Sequence, residues 1–166
     1  MKRVLVVLWV VVLAAAIVVP IASAADDMAA KLNSVLSKGA DARFWQVSAD
    51  DVLAMINAKK TDFVVVDARP NPAEFSEGHI PGALQITTQD MFKPETLKRL
   101  PKNKKVILVC VTGQLQNLPV VGLRALGYDA WSMTFGYTAW IKGYRGGMRM
   151  QEAIQNAAAN NFPVQK

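Results

Sequence analysis

Cys110 is the only cysteine in a chain of 166 residues, and His79 is the only histidine. One residue of each kind does not supply the roughly four ligands of a structural zinc site. What remains open to Cys110 is thiolate chemistry. It ends the apolar run Val106–Val109, and the loop Cys110-Val111-Thr112-Gly113-Gln114-Leu115 leads from it toward a helical segment at 117–126. Successive backbone N–H groups in such a strand-to-helix turn can form an anion-binding nest, and the helix dipole adds partial positive charge at the same place. Both favour thiolate over thiol. Gly113 gives the turn a residue free to take conformations that bulkier ones resist. The same residues also allow a plainer reading, because free cysteines are commonly buried as small hydrophobes. A third reading is a thiol that forms intermolecular disulfides.

The elements that must position this loop read as alternating strands and helices. Met28, Leu32, Val35 and Leu36 fall at i, i+4, i+7 and i+8, the spacing of an amphipathic helix, and Gly39 follows it. Phe44–Val47 is a short apolar strand candidate. Ser48 and Asp51 form a capping box with Asp in place of the usual Glu or Gln, opening a helix through about Ala58. Phe63–Val66 is a continuous apolar run ending at Asp67, and Val106–Val109 is a second. Such runs suit strands covered on both faces of a parallel sheet. Ala83–Ile86 and Ala130–Thr134 are further strand candidates. In the helix at 117–126, Pro119 fits the first turn and Gly127 the C-terminal cap. Gly143, Gly146 and Gly147 read as a flexible joint before a last helix near Met150–Asn160.

This alternation predicts an α/β fold with a mostly parallel sheet. Sites in such sheets form where the carboxyl ends of the strands converge. Asp67, Arg69, Thr87, Thr88, Cys110 and Phe135-Gly136 all follow strand ends, so they are expected on one edge of the sheet. Asp67 and Arg69 read as a pair fixing the loop after their strand, with Arg69 also placed to add positive potential at the mouth of a site. His79 has the type of a general base but lies in a Gly-Pro-rich turn. Thr112 and Gln114 either donate to substrate oxygens or point to water. Trp140 reads as packing. Lys142, Arg145 and Arg149 read as solvated surface or as a rim to the site.

The N-terminal segment has a different character. Lys2 and Arg3 precede an unbroken apolar stretch, Val4–Val19, closed by Pro20, a helix breaker, and Ala22-Ser23-Ala24. This is the layout of a secretory signal peptide cleaved after Ala24. The alternative is an uncleaved membrane anchor, for which about 16 residues is short against the roughly 20 that span a bilayer. The whole chain carries 19 basic and 13 acidic residues, of which the leader holds two and none, leaving a mature charge of +4. That charge is scattered, with no Lys/Arg-rich run of the kind that binds nucleic acid.

"DARPNPAEFSEGHIPGALQIT" (Asp67–Thr87) closely resembles the first signature of rhodanese-like sulfurtransferase domains, and Cys110-Val111-Thr112-Gly113-Gln114 stands where those domains carry their active-site loop. Leu126-Gly127-Tyr128, Phe135-Gly136 and Trp140 match the pattern downstream. "CVTGQ" and the closing "NFPVQK" are similar to a subgroup of exported single-domain members. The resemblance spans about residues 44–142. It implies a five-stranded parallel sheet flanked by helices. The organisation it suggests is a signal peptide at 1–24, a helical extension at 25–43, the rhodanese-like domain at 44–142, and a glycine joint with a C-terminal helix at 143–166.

The resemblance implies that Cys110 is the nucleophile of a sulfurtransferase, with Val111, Thr112, Gly113, Gln114, Leu115 and Arg69 binding substrate and Asp67 and His79 in support. His79 then shapes the fold. A small sulfur-donor anion or a persulfide donates, a thiol or cyanide accepts, and no metal or organic cofactor is needed. No protein partner is specified, and a membrane is involved only if the leader stays uncleaved. Many members carry Arg or Lys in the loop, whereas this loop has no charge and ends in Leu115 and Gln116. Such a loop is expected to hold a dianion weakly. Gln at 116 also lacks the guanidinium with which related phosphatases clamp phosphate. The alternative within the family is a non-catalytic rhodanese-like binding module.

Overall fold

The computed structural model describes residues 19–160 and 162–165, so most of the expected leader lies outside the described residues. The chain divides into two units, 1–37 and 38–166. The first contains helix α1 (Val19–Leu36), which carries the predicted stripe, with Met28 and Leu36 exposed. Pro20 does not break it. It is the helix's second residue, in the turn where a missing N–H costs no intrahelical bond. Among the described residues no helix is long and apolar enough to cross a membrane.

The second unit is built on five parallel strands: β1 (Gln46–Val47), β2 (Phe63–Asp67), β3 (Leu84–Gln85), β4 (Lys105–Val109) and β5 (Asp129–Met133), in the order β1-β5-β4-β2-β3. The two apolar runs occupy β2 and β4, side by side. Val106, Ile107, Leu108 and Val109 are all inaccessible to solvent, as a strand covered on both faces requires. One core cluster joins Val65, Ile107, Val109 and Met133 of the sheet to Val52, Ile80 and Tyr137.

The capping box forms as read: Ser48 Oγ accepts from Asp51 N–H at 3.0 Å and Asp51 Oδ2 from Ser48 N–H at 3.3 Å, opening α2 (Ala49–Asn57). The strand expected over 44–47 is shorter. Phe44 and Trp45 have positive φ at the end of a 3₁₀ segment, Ala40–Trp45, leaving only Gln46–Val47 extended. Two short helices, α3 (Ala73–Glu77) and α4 (Pro94–Leu97), were not expected. Helix α5 (Asn117–Ala125) has Pro119 in its first turn, and Gly127 beyond its end has φ +83°.

The C-terminal glycines are a correction. Gly146 and Gly147 are no joint but belong to helix α6 (Arg145–Asn160). A Cβ on Gly146 would run into Thr138 Oγ1 and lie 2.9 Å from Thr112 Cγ2 and 3.1 Å from Val111 Cγ1. Glycine lets the helix backbone lie directly on the cysteine loop.

Candidate active site

Paired register carries β2 and β4 to the same height, with Asp67 opposite Val109, and Ala68 N–H continues the pairing to Val109 O at 2.7 Å. The chain leaves β2 toward β3 and leaves β4 toward β5, on opposite sides. That divergence opens a crevice at the carboxyl ends of the strands. Cys110 follows the central strand into it.

The loop after Cys110 is held by its carbonyls. Tyr137 N–H donates to Cys110 O at 2.7 Å, and Thr138 N–H and Oγ1 donate to Val111 O at 3.0 and 2.7 Å. Asn117 Nδ2 donates to Gly113 O at 2.7 Å, while Asn117 and Leu118 N–H groups donate to Gln114 and Leu115 carbonyls, both at 3.2 Å. The amides behave oppositely. Among the described residues, the N–H groups of Val111 through Gln116 donate to no protein acceptor. Unpaired donors at the start of a nine-residue helix favour negative charge there.

Backbone meets backbone behind the loop. Gly136, at φ +57°, lies so close that a Cβ there would strike Cys110 O, and Gly113, at φ +89°, faces Phe135 N at 3.0 Å from its would-be Cβ. These glycines fix the curvature of the turn, the role expected of Gly113.

Gln116 has a role the sequence did not disclose. Its side chain is fully buried; Oε1 accepts the Cys110 N–H, and Nε2 donates to Ser132 Oγ at 2.7 Å and Met133 O at 2.6 Å. The loop's last side chain thus turns into the core instead of toward a ligand.

An open cleft of about 480 Å³ lies over the loop. Its floor holds Cys110, itself only 1% exposed, with Val111, Thr112, Gln114 and Leu115 beside it. Pro70, Asn71 and Glu74 form one wall. The opposite wall is helix α6, through Arg145, Arg149, Met150 and Ala153.

Arg69 does not line this cleft, contrary to expectation. Its guanidinium is buried against Asp67, donating from Nε at 2.9 Å and Nη2 at 2.6 Å, and Nη2 also reaches Gly78 O at 2.6 Å and Glu74 O at 3.1 Å. It stacks on the Tyr137 ring at 4.1 Å. Burial would lower its pKa, but the bonds to Asp67 outweigh that and raise it, so Arg69 stays charged and fully engaged. The pair fixes the β2 exit loop. His79 is also apart from the cleft: it stacks on Phe75 at 3.8 Å, and its Nδ1 lies 2.8 Å from Phe75 O. Trp140 packs on the core as read.

Glu74 links the walls. Arg145 Nη2 donates to its Oε1 at 2.7 Å and Tyr144 Oη to its Oε2. Burial works against ionisation of Glu74, but these bonds and the charges of Arg145 and Arg69 outweigh it and hold its pKa below the ordinary value. Tyr144 was not singled out in the sequence, and Glu74 entered only as part of the Asp67–Thr87 signature.

Known proteins resemble this chain in sequence and fold. A family model described as the rhodanese-like domain matches residues 48–143. A tRNA sulfurtransferase of Desulfurococcus amylolyticus is 30% identical over 87 residues, covering 52% of this chain and 16% of that protein, so the chain spans about a sixth of that relative's length. A rhodanese-like domain protein of Staphylococcus aureus superposes with a TM-score of 0.52 at 26% identity, over 59% of this chain and 92% of that one. A rhodanese-related protein of Thermoplasma volcanium gives a TM-score of 0.51 at 26% identity, over 60% and 93%.

Proposed function

The chain belongs to the rhodanese-like domain family, and from that premise we propose that it is a sulfurtransferase carrying sulfane sulfur on Cys110. The observation that carries this reading is the setting of the thiol: Cys110 lines a cleft and opens a loop whose next six N–H groups have no protein acceptor among the described residues. The sulfurtransferase name of the Desulfurococcus relative supports the same class of reaction.

With thiosulfate as donor, the Cys110 thiolate attacks the sulfane sulfur. The new Cys–S bond forms as the S–S bond of thiosulfate breaks, and its electron pair leaves with sulfite. The product is a Cys110 persulfide whose terminal sulfur bears the negative charge. An incoming thiolate or cyanide then attacks that terminal sulfur, and the Cys110 thiolate departs. This is covalent catalysis in two displacements. Loop amides that donate to the developing negative charge act as an oxyanion hole does. The leader motif supports an exported location for the mature protein.

Intact mass measures the first half-reaction. Incubation with thiosulfate is expected to add one sulfur atom, reversible by a reducing thiol and absent from Cys110→Ser. An unchanged mass, or equal labelling of both proteins, would overturn the reading.

A further inference from the structure

We propose that Arg149, on helix α6, is the cation that binds the anionic end of the sulfur donor over Cys110, supplying the charge the loop lacks. This deepens the sulfurtransferase reading and rests on it. The argument starts from the loop, where no residue from Cys110 to Gln116 is charged. The cleft nevertheless contains two guanidinium-bearing residues, both from α6 and both beyond residue 143, where the family match ends.

The helix presents one face to the cleft. Arg145, Arg149 and Ala153 are spaced i, i+4, i+8, and Met150 lies beside them. Two contacts set this face: Gly146 lies against Val111, Thr112 and Thr138, and Arg145 bonds Glu74 across the cleft. The two arginines then differ. Arg145 is neutralised by Glu74 at 2.7 Å, whereas Arg149 is exposed and forms no ion pair among the described residues. Of the charged side chains lining the cleft, Glu74 cancels Arg145, and the net positive charge is that of Arg149. An anion whose sulfane sulfur rests on Cys110 among the loop amides has Arg149 as the cleft's unpaired counter-charge. The fitting ligand class is an anionic sulfur donor, for which thiosulfate is the probe.

Two measurements test this. In the Cys110→Ser background, which cannot turn over, thiosulfate binding is measured by calorimetry with and without Arg149→Gln across a salt series. Arg149→Gln is expected to weaken binding about two- to fivefold at low salt, the modest range of a solvent-open charge pair. The gap should close as salt rises, and Arg149→Lys should retain most of the affinity. With Cys110 intact, Arg149→Gln should raise KM by a similar factor and leave kcat within about twofold, since the donor is already charged before reaction. Equal binding by both proteins at low salt overturns the proposal, whatever the turnover. Weakened binding together with no sulfur uptake by the wild-type protein upholds the anion site and rejects the sulfurtransferase reading instead.

Discussion

Gln116 ties the cysteine loop to the sheet through one amide group. It satisfies three buried polar atoms at once: the Cys110 N–H, Ser132 Oγ and the Met133 carbonyl. Leucine fills similar space with no polar atom, so Gln116→Leu would strand all three. At roughly 1–3 kcal/mol for a buried unsatisfied group, the expected loss is about 2–4 kcal/mol after relaxation. It should appear as a lower urea midpoint with an unchanged slope. A loss under about 0.5 kcal/mol would mean the amide is not holding the loop. At this scale the placing of the cysteine after a central strand was legible and the anchor of its loop was not. Cys110 was found because a strand end, a glycine and a helix start adjoin it in the chain. The partners of Gln116 lie on β5, and nothing local to the loop says that a polar side chain at its end will turn inward.

Helix α6 shows how an element can be misread when tertiary contact decides its limits. Gly146 and Gly147 each disfavour a helix by about 1 kcal/mol relative to alanine, so their pairing reads as a joint. The contact of Gly146 with the cysteine loop and the bond from Arg145 to Glu74 override that preference. Helices α3 and α4 escaped for another reason: five and four residues are too few to show a period. The capping box of α2 was legible because its whole signal is local. The attachment of α6 carries a pH dependence. Because Glu74 is held below its ordinary pKa of 4.5 in the folded protein, its contribution is complete above that value and is lost as pH falls through the lower folded one. Glu74→Gln is therefore expected to be less stable than wild type near neutrality, by about 1 kcal/mol for a partly exposed charged pair. The difference should begin to shrink below pH 4.5 and vanish only once pH has fallen through the lower folded value. Denaturant unfolding of both proteins across pH measures it. A gap that stays constant with pH would show that the carboxylate charge does not secure the helix.

Across the whole molecule, the parallel sheet was legible because β2 and β4 carry short unbroken apolar runs, which suit strands covered on both faces. Expecting strand ends to converge placed Asp67 and Cys110 on one edge, and the register confirms it. The chemistry of the cleft was legible in part: Arg145 and Arg149 were open to reading as a rim, though their helix lies outside the family match, far along the chain from Cys110. The division of the chain has its own consequence. Among the described residues every buried apolar side chain lies at or after Trp45, so the core belongs to the unit at 38–166. A unit holding its own core and both walls of its cleft has what it needs to fold alone. The chain starting at Lys38 is therefore expected to match the chain starting at Ala25 in unfolding free energy, within about 0.5 kcal/mol, as independent parts do. It should also take up one sulfur atom from thiosulfate at the same rate. Parallel denaturant titrations and timed intact-mass measurements on the two proteins make the comparison. Lower stability of the shorter chain would show that residues 25–37 pack on the domain, and slower loading at equal stability would give that segment a part in reaching Cys110.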